Sequence, residues 1–275
     1  MRLVDSHCHL NAEQFAGDAD EVMAAAELAG VERILVPGWD AASSAAALAF
    51  IDRFPGLASA AVGIHPHAAA ETDSDAWAQV VALAADPLVV AIGETGLDFD
   101  RMWSPRDAQL ANLGRNLELA LATGKPAILH CRSKPGERDA QDALIEELRT
   151  AGFGGAAGRA AFGSRPPAIL HSVSGPVDYV EAALELGCAV SVSGLAFRRG
   201  EEATAESVRL VPSDRILVET DAPYLSPPGA PRRRNAPEWV GVTARWVAEL
   251  RGEDPVAFGD ALVAAFDATF RRAAG

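Results

Sequence analysis

At 275 residues, with 49% hydrophobic and 23% charged side chains, the chain fits the roughly 250 residues of one (β/α)8 barrel without a second core. No run of about eighteen apolar residues occurs, which excludes a membrane-spanning helix, and MRLVDSHCHL lacks the apolar stretch and cleavage site of a secretory signal. A net charge of −14 excludes holding nucleic acid by a general positive field, so any phosphate substrate needs a local positive site.

Short runs rich in Val, Ile, Leu and Ala recur with helical patterns between them, as expected of βα units around a parallel sheet. Strands are expected at 3–5, 33–37, 59–64, 89–93, 127–130, 168–171, 189–192 and 216–220. Before the fourth, Trp77, Val80, Val81 and Ala84 repeat at helical spacing behind Ser74, a suitable cap. Before the fifth, Ser104, Pro105, Arg106 and Asp107 resemble a capping box, and Gly124 suits the end of that helix. The glycine-rich stretch 152–167, GFGGAAGRAAFGSRPP, reads as a flexible insertion, an irregular loop on the N-terminal face of the barrel. From 237 to 274 two more helices are expected, one presenting Trp239, Val242, Trp246 and Val247, the other Leu262, Phe266 and Phe270. The sum is an α/β chain, a (β/α)8 TIM barrel forming a single domain over 1–275, with extra C-terminal helices.

The cysteines Cys8, Cys131 and Cys188 are widely spaced and odd in number, which suggests neither a disulfide framework nor a CxxC pair and is consistent with a reducing cytoplasm. The six histidines, His7, His9, His65, His67, His130 and His171, all fall at or just after the C-terminal ends of expected strands, and none falls in a helix. A lone strand histidine is usually a satisfied core residue, but a whole set at the catalytic rim of a barrel points to metal ligation. Residues two apart in an extended segment face the same side, so His7 and His9 can grip one ion together while Cys8 turns away. Glu94 and Asp221 join them at the ends of strands 4 and 8. Imidazole with carboxylate suits zinc, manganese, iron or, less well, magnesium, and the lack of a thiol cluster argues against a closed structural zinc site.

At these residues the chain resembles the TatD family of metal-dependent hydrolases and deoxyribonucleases, within the amidohydrolase-like barrels, from Leu3 to about Phe270. DSHCHLN, GIHPH, IGETGLDF and ETDAPYLSP resemble the family's strand-end motifs, and LHCR and HSVSG its two intermediate histidine motifs. RRRNAPEWV, from Arg232, resembles the RNEP segment, with Ala236 where an acid is common, and puts Asn235 among the expected substrate contacts. The resemblance implies two divalent ions, zinc, magnesium or manganese. His7, His9 and Asp221 would hold one, His130 and His171 the other, with Glu94 between.

Two such ions suit an in-line phosphoryl displacement, so DNA or another phosphodiester is the expected substrate; the resemblance implies hydrolysis by an exonuclease of the TatD type. Asp221 is both an expected ligand and an expected base, with Glu94 as the second catalytic carboxylate. His65 is a candidate either for phosphate contact or for a structural hydrogen bond, and Arg132 offers a guanidinium fork for phosphate. Asp5 and Glu219 are candidate acceptors for metal-binding histidines. Arg232, Arg233 and Arg234, after strand 8, supply a local positive field that the net charge does not. Amide, ester or lactone hydrolysis, D-aminoacyl-tRNA deacylation and metal binding without catalysis are the alternatives. Against the first stands Glu94, at the place where many carbonyl hydrolases of this fold carry a bridging lysine. No membrane association and no obligate protein partner is expected.

Overall fold

The apolar runs become strands because β-branched and small side chains there are buried on both faces, as a parallel barrel requires. In the computed structural model, which describes residues 1–270, the strands are β1 (Leu3–Asp5), β2 (Val31–Pro37), β3 (Ala58–Val62), β4 (Val89–Asp98), β5 (Ala127–Arg132), β6 (Ala168–Leu170), β7 (Ala189–Val192) and β8 (Ile216–Val218). They form one parallel sheet in sequence order. Three backbone hydrogen bonds close it between β8 and β1: Ser6 N to Val218 O at 3.0 Å, Asp221 N to His7 O at 2.9 Å, and His9 N to Ala222 O at 2.8 Å. The last two lie beyond the strands, so closure itself holds the loops bearing His7, His9 and Asp221 against each other.

Around the sheet run α1 (Ala19–Leu28), α2 (Ala41–Ile51), α3 (Ser74–Leu83), α4 (Arg106–Thr123), α5 (Asp139–Thr150), α6 (Ala156–Phe162), α7 (Val177–Glu185), α8 (Glu202–Leu210), α9 (Val240–Arg251) and α10 (Pro255–Thr269). Asp73, one residue before the expected Ser74, caps α3 by accepting from the amides of Asp75 and Ala76. Gly124 ends α4 at φ 63°, the left-handed conformation that stops a helix. The two C-terminal helices form as expected up to residue 270. Leu262, Phe266 and Phe270 are buried where α10 covers the seam of β8, β1 and β2. The remainder of the expected helix, 271–274, lies outside the described residues. Among the described residues no helix is long and apolar enough to cross a membrane.

One expectation is corrected. Residues 152–167 are not an irregular loop, because Ala156–Phe162 forms α6. Phe153 and Phe162 are buried with ring centroids 5.6 Å apart, and α6 packs against α4. The alanines favour helix, and two buried aromatic rings anchor it, which outweighs the glycines that suggested a loop.

Candidate metal centre

β4 is longer than its apolar run because backbone pairing with β5 continues through Thr95, Gly96, Leu97 and Asp98. This extension carries Glu94 and Asp98, four residues apart and thus on one side of the strand. Gly96, at φ 135°, permits it: a Cβ there would overlap the carbonyl oxygen of His130. Glycine is what lets the Glu94 and His130 strands approach.

Glu94 is the hub. Its Oε2 lies 3.3 Å from His7 Nε2 and 3.6 Å from His9 Nε2. Its Oε1 lies 3.3 Å from His65 Nε2, 3.2 Å from His130 Nδ1 and 3.5 Å from His171 Nε2. Asp221 Oδ1 faces the first side, 3.4 Å from His9 Nε2 and 3.8 Å from His7 Nε2. Burial alone would raise the Glu94 pKa, yet the surrounding imidazoles hold it well below the usual carboxylate range. Asp221 is lowered in the same way, burial being outweighed by a hydrogen bond from His9 and the fields of His171 and His7.

A further set of carboxylates orients the rings. His171 Nδ1 lies 2.7 Å from Glu219 Oε1, which turns Nε2 towards Glu94. Burial opposes charge on His171, but Glu219 and Glu94 outweigh it and push the imidazole up to about 10. His130 Nε2 and His67 Nε2 share Asp98 Oδ2 at 3.2 and 2.8 Å. Asp98 is in turn pinned: its Oδ1 accepts from the amides of Asp100 and Arg101, and Gln109 brackets its backbone on both sides.

A family model described as "TatD related DNase" matches residues 4–271. The chain belongs to the TatD family. It is a metal-dependent hydrolase by that membership. The curated protein "3'-5' ssDNA/RNA exonuclease TatD" of Erwinia billingiae (strain Eb661) is 37% identical over 263 residues, 94% of each chain. An uncharacterized metal-dependent hydrolase, YabD, of Bacillus subtilis (strain 168) is 32% identical over 249 residues, 90% of this chain and 91% of its own. The crystal structure of a TatD homologue from Escherichia coli K12 superposes with a TM-score of 0.84 at 27% identity, covering 98% of each chain.

The site of this TatD-family chain fits divalent metal on its own chemistry. Its donors are imidazole nitrogens and carboxylate oxygens, and His7 Nδ1 and His9 Nδ1 are buried with no hydrogen-bond partner. Three sets of donor atoms lie within 4.8 Å of one another: His7 with His9 and Glu94, His7 with His171 and Asp221, and His65 with Glu94 and His130. All six expected ligands therefore converge. His171, which shares Glu94 Oε1 with His130, also stacks on His7 with centroids 3.7 Å apart, while His65 stands beside His130. His65 thus sits among the donors, and its Nδ1 accepts from His67 N.

Other expected contacts are corrected. Arg132 is not a free fork; its guanidinium pairs with Asp100 at 2.7 Å on the exposed rim. Asn235 is fully buried and donates to the carbonyls of Thr220 and Tyr224, both at 2.9 Å, so it holds the loop after β8. Arg234 is engaged by Asp18 and lies over the Phe15 ring, which leaves Arg232 and Arg233 as the exposed cations of that run. Asp5 accepts from Thr220 and from the His7 amide and, among the described residues, meets no histidine ring; of the two acceptors expected, Glu219 takes that role. Ser104 does not cap α4. It donates to the His67 carbonyl and accepts from Ala70 N, tying down the turn that carries His67.

Asp98 was not singled out in the sequence. Its signal is its spacing, four residues after Glu94 within one strand. Lys125 lies at the other end of the barrel, donating to the carbonyls of Ala84 and Asp86, where it cannot bridge ions held by Glu94.

Proposed function

We propose that this TatD-family chain is a deoxyribonuclease, an exonuclease acting on single-stranded nucleic acid, with two divalent ions of zinc, magnesium or manganese held by His7, His9, Glu94, His130, His171 and Asp221. The observation that carries the reading is Glu94, whose two oxygens face separate clusters of histidines. When bound, such ions acidify water and offset the negative charge that builds on phosphoryl oxygens. Asp221 is the acid at the open side of the cluster, ionised and partly exposed, and accepts the proton of the attacking water. Glu94 keeps the two histidine clusters in register. Glu219 and Asp98 hold His171 and His130 with a nitrogen of each turned towards Glu94.

The relatives named 3'-5' ssDNA/RNA exonucleases support this substrate, and among the described residues His65 has polar partners only in the site and its own turn, which leaves it near the reacting phosphate. A cytoplasmic setting agrees with the three cysteines, none of which is in a disulfide among the described residues.

The test is a panel: 3′- and 5′-labelled single-stranded DNA, duplex DNA, a simple phosphodiester, lactones, N-acyl amides and a D-aminoacyl-tRNA, each with added metal and with excess chelator. Stepwise shortening of the single strand that chelator abolishes and metal restores is expected. Faster turnover of a lactone, amide or aminoacyl ester than of any phosphodiester would replace this reading, and full activity in chelator with no bound metal would end it.

The exposed Arg232 and Arg233 are expected to steer the polyanion. Replacing both with alanine should weaken oligonucleotide binding and reduce the slope of log affinity against log salt by up to about 2. Binding measured by fluorescence anisotropy across a salt series checks this; an unchanged slope would make them ordinary solvated surface.

A further inference from the structure

Two large aromatic side chains stand exposed at the mouth of the metal centre, and the reaction assigned above leaves both without a role. Trp103, on the loop between β4 and α4, is 66% exposed, and Tyr224, after β8, is 54% exposed. They lie on opposite sides of Glu94. Trp103 packs on His67, with centroids 4.3 Å apart, beside the His65 and His130 that face Glu94 Oε1. Tyr224 stands 6.1 Å from His9, which faces Glu94 Oε2 and Asp221.

Both loops are built to hold their ring outward. Among the described residues, non-glycine residues with positive φ are Met102, Ser172, Asp221 and Leu225, all in loops beyond the C-terminal ends of strands. Met102 at 52° immediately precedes Trp103, and Leu225 at 47° immediately follows Tyr224. Bulky side chains rarely adopt that conformation, and it persists only where the surroundings impose it. The surroundings do. Asp98 accepts from Arg101 N, and Gln109 donates to Ser104 O, so the Trp103 loop is tied at both ends. Asn235 donates to Tyr224 O, and Tyr224 N donates to Asp221 O.

We propose that Trp103 and Tyr224 are base-stacking platforms that grip the two unpaired nucleobases on either side of the scissile phosphodiester. The proposal rests on the nuclease reading and adds what selects the strand. An aromatic face meets a base only when that base is free of its own stack, so duplex is disfavoured. Stacking also tolerates any base and needs no positive field, which suits a chain of net charge −14.

The experiment compares the metal-loaded enzyme on short single strands that are intact, abasic on one side of the scissile bond, or abasic on the other. Each missing base should cost the wild type about 5- to 100-fold in kcat/KM. Trp103→Ala should erase that discrimination at one side only and Tyr224→Ala at the other, while Trp103→Phe and Tyr224→Phe retain it. Trp103→Leu and Tyr224→Leu, which keep bulk without a ring, should behave as the alanine variants do and serve if those fail to fold. Anisotropy binding of the same strands in chelator gives the same ranking without turnover. Discrimination retained in the alanine or leucine variants overturns the stacking proposal alone. A wild type that cleaves no oligonucleotide overturns the nuclease reading and this proposal with it.

Discussion

Replacing Asp221 with asparagine is expected to lower turnover of a phosphodiester by about 10²- to 10⁴-fold, the usual worth of a positioned base, while bound metal falls only modestly. Asparagine keeps an oxygen where Asp221 Oδ1 faces His9 and His7, at 3.4 and 3.8 Å. It also tolerates the left-handed backbone at this position, where φ is 54°, so the loop after β8 keeps its shape. What it loses is a carboxylate that His9, His171 and His7 hold ionised against burial. Metal stoichiometry by elemental analysis, read beside single-turnover rates, checks this. A variant that turns over at wild-type rate would remove Asp221 as the base.

Glu94→Ala should fail differently. Glu94 touches five imidazoles through its two oxygens, so its loss leaves both clusters without their common carboxylate and leaves buried rings facing each other. Bound metal is expected to fall to about one ion per chain or fewer, with activity lost. Raising free metal should restore part of the activity of Glu94→Ala and almost none of that of Asp221→Asn. Equilibrium dialysis against zinc and manganese, followed by activity at each free-metal concentration, separates the two. A Glu94→Ala protein that retains two ions and near-normal turnover would show that this carboxylate does not hold the clusters together.

The residues of the candidate site were legible because barrel geometry turns a linear pattern into a place. Apolar runs mark strands, the ends of parallel strands share one rim, and polar residues just beyond those ends have nowhere else to converge. His7, His9, Glu94, His130, His171 and Asp221 follow from that rule and meet within the site. Other residues obeyed the same rule and were drawn elsewhere. Arg132 stands at the same rim, yet Asp100 lies across the β4–β5 pairing and takes its guanidinium. Asn235 is close in sequence to the exposed Arg232 and Arg233, but is buried under the loop it supports.

What the sequence determined by itself is the order of strands and helices, the rim on which the candidate site lies, and the types of side chain gathered there, because periodicity and strand ends depend on local spacing. The tertiary structure alone decided which carboxylate serves which ring. Asp98 became the acceptor for His130 and His67, Glu219 for His171, and Asp5 was diverted to Thr220. The folding of 152–167 around Phe153 and Phe162, and the placement of Trp103 and Tyr224 on opposite sides of Glu94, were decided at the same level. The physical reason is that spacing sets the direction in which a side chain leaves the backbone. Its partner is whichever donor or acceptor the remote strands and loops bring within about 3 Å, and that distance is set by packing across the closed barrel.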